Sequence, residues 1–176
     1  DQSKGSSQRL GIYGAKLYID DLLHYHFDMD DFSFDEMRYS NAHRDYEEQS
    51  KSRQVFHRLF RLDGNRLPIY KQTINDGWVS LEETVQKIKI EVFDFMMNTS
   101  AIEFYLKKGD GPPPAMPIGN KLIQHDQTFS LQEKEFKLEI PAHRLYKNTY
   151  FDYQIINENS TLAPIFKIHE NHTPLH

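Results

Sequence analysis

The chain has 176 residues, 38% hydrophobic and 27% charged, with a formal net charge of -5; that suffices for one ordinary domain or two small ones, and the acidic balance argues against nucleic acid as a partner. No run of about 18 apolar residues occurs, so no helical membrane span is expected. The absence of cysteine excludes disulfides, thiolate zinc sites and a Cys nucleophile.

Residues 1–9 are polar and read as an entry loop. Two alternating runs follow. Tyr13, Ala15, Leu17 and Ile19 share one face, as do Leu23, Tyr25, Phe27 and Met29, and the Asp20-Asp21 pair between them reads as a hairpin turn. Residues 35–53 carry few aliphatics and read as a solvated excursion with a helical turn or two. Residues 55–62 read as a strand, 63–66 as a turn, 67–71 as a short run and 75–77 as a turn into Trp78. Ile88, Ile90 and Val92 alternate with Lys87, Lys89 and Glu91. A bend at 94–100 leads to a further strand over 101–107. Aromatic content of 13% suits strands. The spacing predicts an all-β chain with an Ig-like antiparallel β-sandwich over 10–107 that includes the polar excursion. A Pro/Gly-rich linker is expected over 108–121, and a second β domain over 122–176, too short for a complete sandwich. The chain opens on Asp1 without a signal-peptide pattern, and is expected to be a piece of a longer protein.

The segment from His24 to Glu36 holds two histidines and five later acidic residues. On a strand His24, His26, Asp28 and Asp30 share one face, and two histidines two apart can chelate zinc, with His43 or His57 as a third ligand. The same alternation is what a half-buried strand needs, and that reading requires fewer assumptions. Asp28, Asp30, Asp31, Asp35 and Glu36 are also hard oxygen donors, but no EF-hand spacing is present. There is no Gly-x-Ser-x-Gly, His-Glu-x-x-His or phosphate-binding Gly loop. Trp78 is a candidate sugar platform, although aromatic residues in a small β domain more often serve its core or edges.

The stretch from Gly5 to Glu47 resembles the β-rich region that follows the catalytic domain in lysostaphin/LytM-type zinc metallopeptidases of Bacteroidota. The resemblance rests on Gly11, Tyr13, Leu17, Tyr18 and Asp20, on Met29, Asp30, Phe32, Ser33, Phe34, Asp35, Glu36, Arg38 and Tyr39, and on His43, Asp45 and Tyr46. It continues through His57–Tyr70, residues 92–100, residues 140–155 and residues 173–176, in order along most of the chain. Asp21, Asp31, Met97 and His143-Arg144 depart from it, standing where Gly, Arg, Gly and Gly-Ala are expected.

The resemblance implies that this chain alone has no catalytic residues and holds no metal. The zinc and the chemistry would belong to an upstream domain, because His24 serves both the His-x-x-x-Asp and the His-x-His readings here and cannot be counted twice. It implies a non-catalytic accessory region of a cell-envelope peptidoglycan metallopeptidase homologue, periplasmic or outer-membrane-associated in a Gram-negative bacterium. Its partners would be its own catalytic domain, an envelope protein complex or peptidoglycan. Asp30, Phe32, Phe34, Asp35, Glu36, Arg38, Tyr39, Arg58 and Arg66 are the binding or structural motif. Two readings of this motif are open: Arg38, Arg58, Arg61 or Arg66 pair Asp30, Asp35 or Glu36 in bidentate guanidinium–carboxylate contacts that lock an irregular crossover, or the cluster is a docking surface for the peptidase domain or a partner.

Overall fold

A computed structural model describes residues 11–112, 121–134, 136–156, 164–169 and 173–175. The expected entry loop and linker residues 113–120 lie outside the described residues. The fold is all-β. Strands β1 (Gly14–Ile19), β2 (Leu22–Asp28), β3 (Tyr70–Thr73), β4 (Gln86–Phe93) and β5 (Thr99–Leu106) form one antiparallel sheet in the order β3-β2-β1-β4-β5. Alternation explains the pairing. Ala15 stands between Phe27 and Val92, and Leu17 between Tyr25 and Ile90, so one sheet face is a continuous apolar surface with Ala15, Leu17, Tyr25, Phe27 and Ile88 buried in it. The opposite face carries Lys16, Tyr18, Lys89 and Glu91, where Tyr18 donates to Glu91 at 3.1 Å and Lys89 pairs Glu91 at 2.7 Å.

The β1–β2 turn is tight. Asp20 and Asp21 both have positive φ, 49° and 65°, the conformation a two-residue hairpin loop needs and glycine adopts most easily. Their carboxylates offset that strain: Asp20 accepts from the Lys87 amide at 2.8 Å and Asp21 accepts from Lys87 Nζ at 2.9 Å.

The layer over the apolar face is irregular. After β2 the chain makes a 3-10 turn (Phe34–Tyr39), a short helix α1 (Ser40–His43) and a second helix α2 (Tyr46–Ser52). It then runs to β3 and on through a 3-10 turn at Ile74–Gly77. Leu67 and Ile69 are buried against the sheet, with Phe32, Tyr39, Leu59 and Val79 partly buried beside them. The solvated reading of 35–53 holds for α2, which buries nothing, but Ala42 and His43 of α1 are fully buried. The strand expected over 55–62 does not form. A single antiparallel bridge joins Arg44 to His57, made by Arg58 N to His43 O at 3.0 Å and Asp45 N to Phe56 O at 2.8 Å, and beyond it the backbone turns to another partner, Arg61 N donating to Asp76 O at 2.7 Å. Gly77 is required where this crossover returns to the sheet. Its φ is +85°, and a Cβ there would sit 2.4 Å from Leu59 O.

Among the described residues, the C-terminal part has three two-stranded ladders: β6 (Lys121–Ile123) with β9 (Thr149–Phe151), β7 (Phe129–Gln132) with β8 (Lys137–Ile140), and β10 (Tyr153–Ile156) with β11 (Ile165–Ile168). Ile123, Leu131, Leu145 and Phe151 form its core. Tyr146 joins the two parts. It packs against Ala42 and Leu62, its hydroxyl donates to Arg38 O at 3.1 Å, and Gly64 N donates to its carbonyl at 3.2 Å. Among the described residues, no helix is long and apolar enough to cross a membrane.

Candidate functional site

A buried polar cluster lies where the crossover meets β2 and β3. Asn65 Nδ2 donates to the Tyr70 hydroxyl at 2.8 Å, and that hydroxyl reaches His43 Nδ1 at 3.4 Å. His43 Nε2 and His57 Nδ1 lie 3.0 Å apart. Each of these contacts is within hydrogen-bond distance, so Asn65, Tyr70, His43 and His57 form one continuous chain. Phe27 walls this chain, its ring 4.5 Å from His43 edge-on and 5.8 Å from His57 in a stack. Asn65 also ties the backbone, accepting from Leu67 N at 3.0 Å.

Arginines close the outside. Arg58 Nη1 donates to the carbonyls of Ala42 (3.0 Å) and Arg44 (2.5 Å), and Nη2 lies 3.5 Å from Asp45. Arg61 reaches Asp76 through Nε (2.9 Å) and Nη2 (2.5 Å), its guanidinium 5.8 Å from the Tyr70 ring centre. Burial first, then the neighbouring His57, Arg44 and Arg58, pushes His43 down to about 3. Burial and Arg44 lower His57 as well, and burial raises the Tyr70 phenol. Both imidazoles are therefore neutral near pH 7. The cluster thus carries no imidazolium charge at that pH.

The sequence-picked residues divide among several places. Asp30 accepts from the Tyr13 hydroxyl and from Lys71 Nζ. That bond pushes the Tyr13 phenol up to about 12. Phe32 and Tyr39 pack on the core, and the Tyr39 ring meets Tyr146 edge-on at 5.9 Å. Phe34, Asp35, Arg38 and Arg66 are exposed. Glu36 accepts from Ser33 N at 2.9 Å, capping the 3-10 turn. The expected arginine partners are corrected: Arg58 takes Asp45, Arg61 takes Asp76, and Asp30 takes a lysine. The 3-10 turn causes this, since it spends Glu36 on its own cap and turns Asp35 to solvent.

The alternative metal set His24, His26 and His43 does not converge. His24 Nε2 lies 3.1 Å from Trp78 O, and His26 Nε2 lies 2.7 Å from Asp28. His43 is buried on the core side, beyond Phe27. Among the described residues no three His, Asp or Glu are grouped to hold a metal ion. Trp78 is 50% exposed, with its ring 4.3 Å from Phe60 and its carbonyl held by His24 and Asn75.

Sequence reasoning missed Asn65 and Tyr70 as cluster members, and Tyr146 as the joint between the two parts. Asn65 and Tyr70 lay within a quoted motif block, but their partners are up to 27 positions away. It also missed a cleft of about 450 Å³ in the C-terminal part, walled by Ile123, Leu138, Ile140, Leu145, Phe151 and Leu175.

Residues 120–176 match the model of the Zu5-like domain family. No curated protein and no solved structure matches the chain.

Proposed function

We propose that this chain is a non-catalytic accessory region of a cell-envelope peptidoglycan metallopeptidase homologue, which positions the catalytic domain or a protein partner. The observation that carries this reading is where the motif residues go. His43, Asp45, His57, Arg58, Asn65, Leu67, Ile69 and Tyr70 all belong to the blocks that resemble the peptidase-associated region, and they meet in one packed cluster. Residues turned onto one another in this way shape a crossover; they are not presented to a substrate. A second support is conformational. Asp21, Met97 and His143, which stand where that region is expected to have glycine, adopt φ of 65°, 65° and 63°. The zinc would belong to the upstream domain, and the location would be periplasmic or at the outer membrane.

Two measurements test this together. The purified chain, supplied with zinc, releases no muropeptides from peptidoglycan sacculi. The protein in its native envelope fraction has an intact mass well above 20.9 kDa and yields peptides from an upstream zinc peptidase domain. Muropeptide release by the chain, or a native mass equal to the chain's, overturns the proposal.

A second reading, a peptidoglycan-binding β module, is favoured by Trp78. Phe60 backs one side of a half-exposed indole, the rigid platform on which a sugar ring stacks. Binding of soluble muropeptides that is lost in Trp78→Ala, with the far-UV spectrum unchanged, would establish it.

A further inference from the structure

The two edges of the five-stranded sheet are built differently. The β3 edge is only 4 residues long, carries Lys71 and meets β2 through a register shift at His26/Phe27. Short length, a lysine and a bulge are the devices by which sheets protect an edge from pairing with another chain. The β5 edge has none of them. It is 8 residues long, Thr-Ser-Ala-Ile-Glu-Phe-Tyr-Leu, and pairs β4 without a break from Phe93↔Thr99 to Gln86↔Leu106. Its single charge, Glu103, lies 3.8 Å from Lys87 of β4. The side chains flanking this edge are exposed on both faces, Ile102 at 59% and Tyr105 at 69%.

The phase of the outer edge follows from the ladder. Asp94 N donates to Asn98 O, while Lys87 O and Phe93 O accept from the β1 side. Pairing alternates along an antiparallel strand, so Thr99, Ala101, Glu103 and Tyr105 direct their amides and carbonyls away from β4. The geometry points to a second copy of this chain as the occupant of that edge, the two β5 strands pairing antiparallel across a two-fold axis at Ile102. This register alone serves every outward residue. Thr99 of one copy faces Tyr105 of the other, and Ala101 faces Glu103. Ile102 meets Ile102 on the apolar face, in register with Ile90 and Leu17 but left exposed at the sheet edge. Moving the axis to Glu103 would set two carboxylates against each other, and moving it to Ala101 would leave Tyr105 without a partner in the strand. Isologous pairing of this kind closes after two copies and joins the sheets into one. The inference stands independently of the accessory reading above.

The test is sedimentation equilibrium of the 176-residue chain over a wide range of concentration. The expected result is a reversible rise in mass from 20.9 kDa toward twice that value. Ile102→Lys sets two ammonium groups on the axis, and Ala101→Pro removes an outward N–H that β4 does not use; each is expected to return the chain to monomer. Far-UV circular dichroism verifies that each variant keeps its sheet, and Tyr105→Lys replaces either one that loses it. A monomer at every concentration overturns the inference, as does a dimer that survives the folded variants.

Discussion

The two parts of this molecule use β-structure in opposite ways. Residues 14–106 concentrate their strands in one sheet, whose apolar face is sealed by an irregular crossover with a hydrogen-bonded centre. The described residues of 121–168 spread theirs over two-stranded ladders around a core of Ile123, Leu131, Leu145 and Phe151 and an open cleft. A two-stranded ladder is marginal by itself and must borrow stability from what it packs on. The difference teaches that strand content alone does not set robustness, which depends on how completely one apolar face is covered.

The sharpest way to break this comparison is to cut the same side chain from each core. Phe27 is fully buried and touches both histidines, so Phe27→Ala is expected to cost about 3–5 kcal/mol, transfer and cavity terms together. Phe151 is buried beside the cleft, where the space left behind is already open, and Phe151→Ala should cost the transfer term alone, ~2 kcal/mol. Urea unfolding reads both. Equal losses would mean that the C-terminal core is as tightly closed as the sheet.

Tyr146 decides whether the parts unfold together. The single tryptophan, Trp78, reports on the first part, whereas far-UV circular dichroism reports on both. Tyr146→Ala removes a buried ring from Ala42 and Leu62 and frees Arg38 O. A loss of about 3 kcal/mol is expected, with the fluorescence and circular-dichroism transitions, coincident in the wild type, now separating. Coincident transitions in the variant would show that other contacts couple the parts.

Acid probes the hydrogen-bonded centre. The ordinary His43 value is 6.5 and the folded value about 3, so between them the unfolded chain binds a proton that the folded chain refuses. Stability present above pH 6.5 is therefore lost as pH falls toward 3, at up to about 1.4 kcal/mol per pH unit from this group. Arg44, Arg58 and His57 face it and oppose its charge. His43→Gln should flatten the profile in that window when denaturation midpoints are compared across pH. A profile unchanged in slope would place the acid sensitivity elsewhere.

These outcomes track what could be read in advance. The hairpin of β1 and β2 and the face of Ile88, Ile90 and Val92 are visible because period-two alternation is local. An irregular crossover is expected from the sequence, but its contacts are not legible there, because they join residues far apart in the chain. His43 is unremarkable until His57, Asn65 and Tyr70 surround it, and residues 55–62 read as a strand although their amides serve α1 and the Ile74–Gly77 turn. The candidate motif was found in the right region but with the wrong partners, since spacing cannot tell that Glu36 would cap its own turn.

The smallest expected effect separates strain that is compensated from strain that is not. Asp21 and Met97 have the same φ, 65°, in the two hairpin turns of one sheet. A non-glycine residue there costs about 1–2 kcal/mol, and glycine returns part of that gain through its freer unfolded chain. Met97 is 60% exposed and its side chain has little packing to lose, so Met97→Gly should stabilise by about 0.5–1 kcal/mol. Asp21→Gly also gives up the contact with Lys87 Nζ at 2.9 Å, an exposed pair worth roughly 0.2–1 kcal/mol, and should come out near neutral. Thermal midpoints of the two variants, measured side by side at low and high salt, resolve the difference. If Asp21→Gly gains as much as Met97→Gly at low salt, the Lys87 pair contributes nothing, and the aspartates of the β1–β2 turn are held by the Lys87 amide on Asp20 alone.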